Sequence, residues 1–287
     1  MPSVTDSGYR HNGLLPDGAS LPEGVHRYAA MLEYRGDAFS GWQRQRHSPS
    51  VQSAVEAALS YVANESIIVA CAGRTDAGVH ATHQVVHFDS KVVREPHNWV
   101  LGANTRLPGA VRLHWAGEVA AQFHARFSAR ARTYRYLICN QSSPPAIFRG
   151  VLTWIKAPLD ADAMHRGAQG LLGENDFSSY RAAGCQSRSP WRNLSAVRVF
   201  RDGELVVIEV TANAFLHHMV RNIAGALLAV GRGEKSESWP RELLAVKDRT
   251  QGDATAPPDG LYLVRASYPP HFGLPNPSLG PLFLRAT

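Results

Sequence analysis

Strand-like and helix-like patterns follow one another irregularly along this chain, with hairpins among them, and that order constrains the fold more than any single residue. Residues 28–34 read as a strand and residues 35–42 as a glycine-containing turn. Residues 50–62 place Val51, Val55 and Leu59 on one stripe beside Ala58 and Val62, which predicts a helix. Residues 67–72 and 84–88 are apolar and strand-like, and residues 130–140 form another such run. Residues 160–172 predict a helix, and residues 196–200 and 205–211 a hairpin about Asp202 and Gly203. Residues 215–230 predict a strongly apolar helix that Gly231 and Gly233 stop. Pro240 marks the start of a short helix, and residues 260–265 read as a late strand. Helices interspersed with hairpins exclude a strict βαβ series. They predict an α/β fold of the α+β type, with a mixed or antiparallel sheet covered by helices.

At 287 residues the chain is long enough for one large domain or two smaller ones. The expected division is an N-terminal extension over 1–26, an α/β domain over 27–121 and a second over 122–287. The extension is rich in Gly, Pro, Ser and Asp, lacks the pattern of a signal peptide, and reads as disordered. No apolar run is long enough to span a bilayer. Cys71, Cys139 and Cys185 lack CxxC spacing, which points to reduced thiols in a cytoplasmic protein and away from a zinc site. The net charge of +6 favours a polyanionic partner. Only Lys91, Lys156, Lys235 and Lys247 among the 30 basic residues are lysine. Arginine suits bidentate phosphate contacts and stacking on bases, although a GC-rich genome would give the same bias.

One stretch, CAGRTDAGVHATHQVVHFD from Cys71 to Asp89, sets Arg74 and Asp76 between two strand-like runs, with Gly73 and Gly78 around them. Residues two apart in an extended segment project to one side, so Arg74 and Asp76 can lie together. A guanidinium beside a carboxylate favours the ionised form, which suits a nucleophile or an anion stabiliser. An aspartate that merely caps a turn stays open as the alternative. A second stretch, FHARFSARARTYRYLICN, interleaves Arg126, Arg130, Arg132 and Arg135 with Phe123, Phe127, Tyr134 and Tyr136. Extended, it puts Arg130, Arg132, Tyr134 and Tyr136 on one face, where arginines can track phosphates and a ring can stack on a base. Arg221 falls early in the apolar helix, where the helix dipole disfavours a cation, so it needs an anionic partner or a place at the surface. His80, His83 and His87 have metal-like spacing only on a helix, and Val85, Val86 and Phe88 give that region strand character. Neither they nor His217 and His218 are expected to hold a metal. P-loop, GxGxxG, HExxH and GxSxG patterns are missing.

These stretches, taken in order, resemble the tRNA pseudouridine synthase A (TruA) family over nearly the whole chain after the extension. FSGWQRQ, AGRTDAGVHA, FHARFSARARTYRYLI, DFSSYRAAGCQSRSPWRN, ANAFLHHMVRN, GLYLV and GPLFL are each similar to a family segment. The resemblance implies a pseudouridine synthase fold, with two similar subdomains and the active-site cleft between them. It implies that Asp76 is the catalytic nucleophile, that Arg74 forms an ion pair with it, and that Arg221 is a second basic group beside it. Tyr134 would stack on the target base and Leu261 would line the pocket. Arg130 and Arg132 would bind substrate. The implied activity is an isomerase converting uridines 38, 39 and 40 of the tRNA anticodon stem-loop, as a homodimer and without cofactor or metal. A non-catalytic tRNA-binding or chaperone protein, or a glycosylase releasing free base, is the competing expectation. Isomerisation leaves the atom count unchanged, in agreement with the missing nucleotide, redox and metal motifs, and one carboxylate suffices where a glycosidase needs two.

Overall fold

The computed structural model describes residue 15 and residues 20–284. Most of the extension expected over 1–26 lies outside the described residues, and His26 already opens the first strand. Along the chain run β1 (His26–Tyr34), α1 (Val51–Ala63), β2 (Ala70–Cys71), β3 (His80–Ser90), α2 (Pro96–Asn104), β4 (Val111–Glu118), β5 (Ala131–Asn140) and β6 (Thr153–Ile155). There follow α3 (Ala161–Gln169), β7 (Gly173–Asp176), β8 (Trp191–Asp202), β9 (Leu205–Ala212), α4 (Met219–Gly231), α5 (Trp239–Val246) and β10 (Leu261–Ser267).

Local chemistry sets the ends of these elements. The Ser50 hydroxyl accepts from the Ser53 amide at 3.2 Å and starts α1, and Asn64 in the left-handed region ends it. Asp160 caps α3 in the same way through the Ala163 amide at 2.9 Å. Asp202 and Gly203 turn the β8–β9 hairpin, with Gly203 at φ 57°. Neither α2 nor β4 is legible from sequence pattern. Within α2 only Trp99 and Ala103 are buried, too sparse a stripe to mark a helix by periodicity.

The strands form one ten-stranded sheet in the order β4-β1-β3-β10-β5-β9-β8-β7, with β2 on β3 and β6 on β5. It is mixed as expected: β10 runs parallel to β3 and β6 parallel to β5, and the other pairs are antiparallel. The sheet passes without a break across the expected boundary at 121/122, because the late strand β10 lies between β3 and β5. The main core, on the helix-covered face, likewise joins Leu32 and Val86 of the first half to Tyr136 and Ile223 of the second. On the other face, Phe123, Tyr268 and Phe272 cover one patch, and Leu152 and Leu279 cover another. With both faces covered, β5 is buried from Arg132 to Asn140.

Every residue of α4 except Arg221 is buried. A Cβ on Gly225 in this helix would stand 2.2 Å from the Ala254 carbonyl oxygen. Gly225→Ala gains about 1 kcal/mol of helix propensity. Overpacking against backbone costs roughly 1–3 kcal/mol. We therefore expect thermal denaturation to show a lower Tm for this variant, where propensity alone would raise it. His83 and His87 lie in β3, and burial holds both imidazoles below the usual histidine range, His83 at about 4. A depressed folded-state value makes the unfolded chain bind the extra proton. The stability this contributes is present above pH ~6.5 and is lost as pH falls toward 4, by up to about 3 kcal/mol for His83. Melting temperatures at pH 7 and pH 4.5 should differ less in His83→Gln than in the parent protein.

Candidate active site

The segment between β2 and β3 is fixed from several sides before its aspartate is considered. Thr75 is buried, and its hydroxyl bonds the Tyr34 hydroxyl at 2.7 Å. The Gln84 amide donates to the Tyr34 hydroxyl at 3.3 Å and to the Gly73 carbonyl at 2.6 Å. The Val79 amide closes a turn on the Asp76 carbonyl at 3.1 Å. Gly41, from the FSGWQRQ stretch, sits at φ 99°, and a Cβ there would meet the Thr75 oxygen at 3.0 Å; beside it the Trp42 amide donates to that same oxygen. Gly78 at φ 79° needs the left-handed freedom of glycine. Gly73 does not, so only one of the two bracketing glycines is demanded by the turn.

Alternation about the inward-facing Thr75 sends Arg74 and Asp76 to the same cavity, as expected from their spacing. The ion pair expected between them is not formed. Arg74 is exposed, and the side chains nearest the Asp76 carboxylate are His217, with Nε2 at 3.3 Å, and His218, with Nε2 at 3.5 Å. Lateral room explains the difference: a turn, unlike a strand, splays neighbouring side chains, and a long arginine finds water before it finds the short aspartate. His218 occupies the left-handed region at φ 61°, so two consecutive imidazoles face one carboxylate. Burial holds the His218 imidazole below the usual range, partly offset by Asp76. From sequence alone these histidines stand out only as candidate metal ligands, and none is expected to hold a metal. Their signal was position, a pair directly ahead of the helix that carries Arg221.

The cavity has a volume of about 1640 Å³. Small-molecule sites are typically about 300–1,000 Å³, so this one has room for part of a macromolecule. Asp76, Arg74, Tyr134, Arg221 and Leu261 all line it. The Tyr134 ring packs edge-on against Phe215 at 5.0 Å, and burial pushes its phenol well above the usual range, so the hydroxyl stays protonated. Leu261 opens β10 opposite Tyr136. Arg221, half-buried, anchors its Nε on the Ala256 carbonyl at 2.7 Å. Burial raises the nearby Cys71 thiol to about 12, which leaves it inert as a nucleophile.

Arg130 and Arg132 part company. Arg130 is exposed and lies outside the cavity lining. Arg132 reaches the lining, but it is buried and its guanidinium is occupied by backbone carbonyls. It donates to Ala72 at 2.9 Å, to Asn213 at 3.0 Å, to Ala129 at 3.3 Å and to Arg126. Those bonds tie β5 to the end of β2 and to the loop before α4. Its part is therefore to hold backbone, while Arg126 and Phe127, both exposed, stand on the same rim.

A sequence model of the family described as tRNA pseudouridine synthase matches residues 30–128 and 168–269. The tRNA pseudouridine synthase A of Cronobacter sakazakii is 55% identical over 265 residues, 92% of this chain and 98% of that protein. Those of Enterobacter sp. strain 638 and Escherichia coli K12 are 56% and 55% identical, each over 91% of this chain and 96% of the relative. With family segments matched on both sides of the cleft and relatives aligned almost end to end, this chain belongs to the tRNA pseudouridine synthase A family.

Proposed function

We propose that this protein is an isomerase that converts uridine to pseudouridine at positions 38, 39 and 40 of the tRNA anticodon stem-loop. The observation that carries the reading is Asp76. Its backbone is clamped on all sides, while its carboxylate stands in a cavity lined by Tyr134, Arg221 and Leu261. A target uridine must leave its stack to reach such a site. Tyr134, held by Phe215, offers a ring face, Leu261 an apolar wall, and Arg221, Arg74 and Arg126 positive charge for the backbone. Asp76 is the nucleophile of the proposal. The glycosidic N1–C1′ bond breaks, the uracil turns, C5 joins C1′, the C5 proton leaves to water, and the freed N1 takes up a proton from water, so atoms in equal atoms out. Attack at C1′, a glycal route and addition at C6 all use the same carboxylate. No helix among the described residues is long and apolar enough to cross a membrane. A cytoplasmic homodimer belongs to the same proposal, and the exposed apolar residues Ile147, Phe148, Leu282 and Phe283 are surface that a second copy could cover.

Asp76→Asn keeps the shape of the side chain and removes its charge. Tritium release from C5-labelled tRNA should fall roughly 10⁴-fold or more, while tRNA binding survives. Undiminished release would remove Asp76 from the chemistry, and free uracil among the products would indicate a glycosylase. Arg130→Ala separates rim from frame: its Tm should match the parent, while tRNA affinity falls and the slope of log K against log salt shrinks by about 1.

A further inference from the structure

We propose that Asp76, His217 and His218 form a binding site for a divalent transition-metal ion of the zinc type, and that its occupancy blocks the cleft. One oxygen and two imidazole nitrogens, from the β2–β3 turn and from the residues leading into α4, lie within 4.8 Å of one another. His217 Nε2 stands 3.3 Å from Oδ1 and His218 Nε2 3.5 Å from Oδ2, too long for charge-assisted hydrogen bonds, which run about 2.7–2.9 Å. With Zn–N and Zn–O near 2.0–2.2 Å, two ligands at the tetrahedral angle stand about 3.3–3.5 Å apart, so each imidazole stands at ligand spacing from one of the two carboxylate oxygens, either of which can serve as the third ligand. The arrangement is also built. Consecutive side chains normally diverge, and these converge because His218 sits at φ 61°, ψ 4°, a left-handed conformation uncommon for residues other than glycine. The His217 amide is fixed by the Cys185 sulfur at 3.4 Å, and the two rings stand 4.0 Å apart.

Two imidazoles and one carboxylate suit Zn²⁺, Cu²⁺ or Ni²⁺ and are poorly matched to Mg²⁺ or Ca²⁺, which take oxygen ligands. Three protein ligands facing a wide cavity leave a fourth position for water, the open form of a zinc site. An ion held there occupies the lone pairs of the Asp76 carboxylate. It is an inhibitor of the proposed reaction, with no step of the isomerisation passing through it. The binding claim stands on geometry alone, and the inhibition rests on the role proposed for Asp76.

The test is titration of the full-length protein with Zn²⁺ by calorimetry and with Co²⁺ by visible absorption, which reads ligand geometry directly. Expected is one site per chain with a four-coordinate Co²⁺ spectrum. Affinity should be lost or weakened about tenfold or more in each of His217→Ala, His218→Ala and Asp76→Asn, with circular dichroism showing each variant folded. His97→Ala, at an exposed histidine outside the cavity lining, should retain the site. Absence of saturable binding in the parent protein, equal binding in all three variants, or an equal loss in His97→Ala would overturn the proposal. Zn²⁺ should also suppress tritium release in a manner that a chelator reverses. Metal bound by the three residues in a protein that releases no tritium would sustain this site and refute the proposed reaction instead.

Discussion

Two residue pairs hold the cleft in register: Tyr262 with His80 and Leu263 with Ala81, where β10 runs parallel to β3. The same strand runs antiparallel along β5, with Leu263 opposite Tyr134. One late segment thus fixes the exit of the Asp76 turn against the strand that carries Tyr134. A neutral imidazole strengthens the joint. The Gly36 amide donates to His80 Nδ1 at 3.0 Å, and His80 Nε2 meets the Asp259 carbonyl at 3.1 Å. Burial lowers the His80 value, which favours the tautomer that accepts at one nitrogen and donates at the other. Gly260, at the entrance to β10, leaves no room for a side chain, since a Cβ would lie 2.4 Å from the Leu137 oxygen. The proposed chemistry depends on this close approach, made by residues that never touch substrate.

Arg132 shows how a basic sequence divides its charges between frame and rim. A buried guanidinium is tolerated only when its donors are satisfied, and here backbone carbonyls from four places satisfy it. Hydrogen bonds to a charged group are worth about 1.5–3 kcal/mol each, so removing it would strand several buried acceptors at once. Arg135 is treated alike on the opposite face, with Glu209 at 2.7 Å and the Gly280 carbonyl at 2.9 Å. The excess of positive charge therefore overstates the surface available to RNA. Arg74, Arg126 and Arg130 are among the arginines that stay exposed.

Strands β1, β3, β5, β9 and β10 and helices α1, α3 and α4 were readable because each carries its period in its own residues. What could not be read was any feature fixed by a distant partner. β7, with the sequence Gly-Glu-Asn-Asp, has no strand propensity and exists because β8 offers it an edge. The position of β10 between β3 and β5 is set by register, on which its own sequence is silent, so the chain reads as two halves although its sheet is one. At the site, spacing located Asp76 and its direction, and the family segments located Tyr134, Leu261 and Arg221. Spacing could not tell Arg130 from Arg132, because alternation assigns a face and leaves open whether that face is later covered. It also missed the convergence of His217 and His218, which depends on one left-handed residue that no pattern of residue types announces.

Two carboxylates at opposite ends of β3 are held in opposite ways. Asp89, within the strand, is gripped by Arg27 through Nε at 2.8 Å and Nη2 at 3.0 Å, so its oxygens are directed and used. Asp76, just before the strand, has its backbone gripped and its carboxylate only loosely approached: among the described residues its nearest partners are the two imidazoles, at 3.3 and 3.5 Å. An oxygen whose lone pairs are already bonded would have to break those bonds on the way to carbon. Holding the main chain through Thr75, Gln84 and Gly41 avoids that cost and still fixes where the carboxylate stands. The freedom that would leave these oxygens available to a sugar carbon in the proposed reaction would leave them equally available to the proposed metal ion, so the two proposals rest on the same unbonded lone pairs.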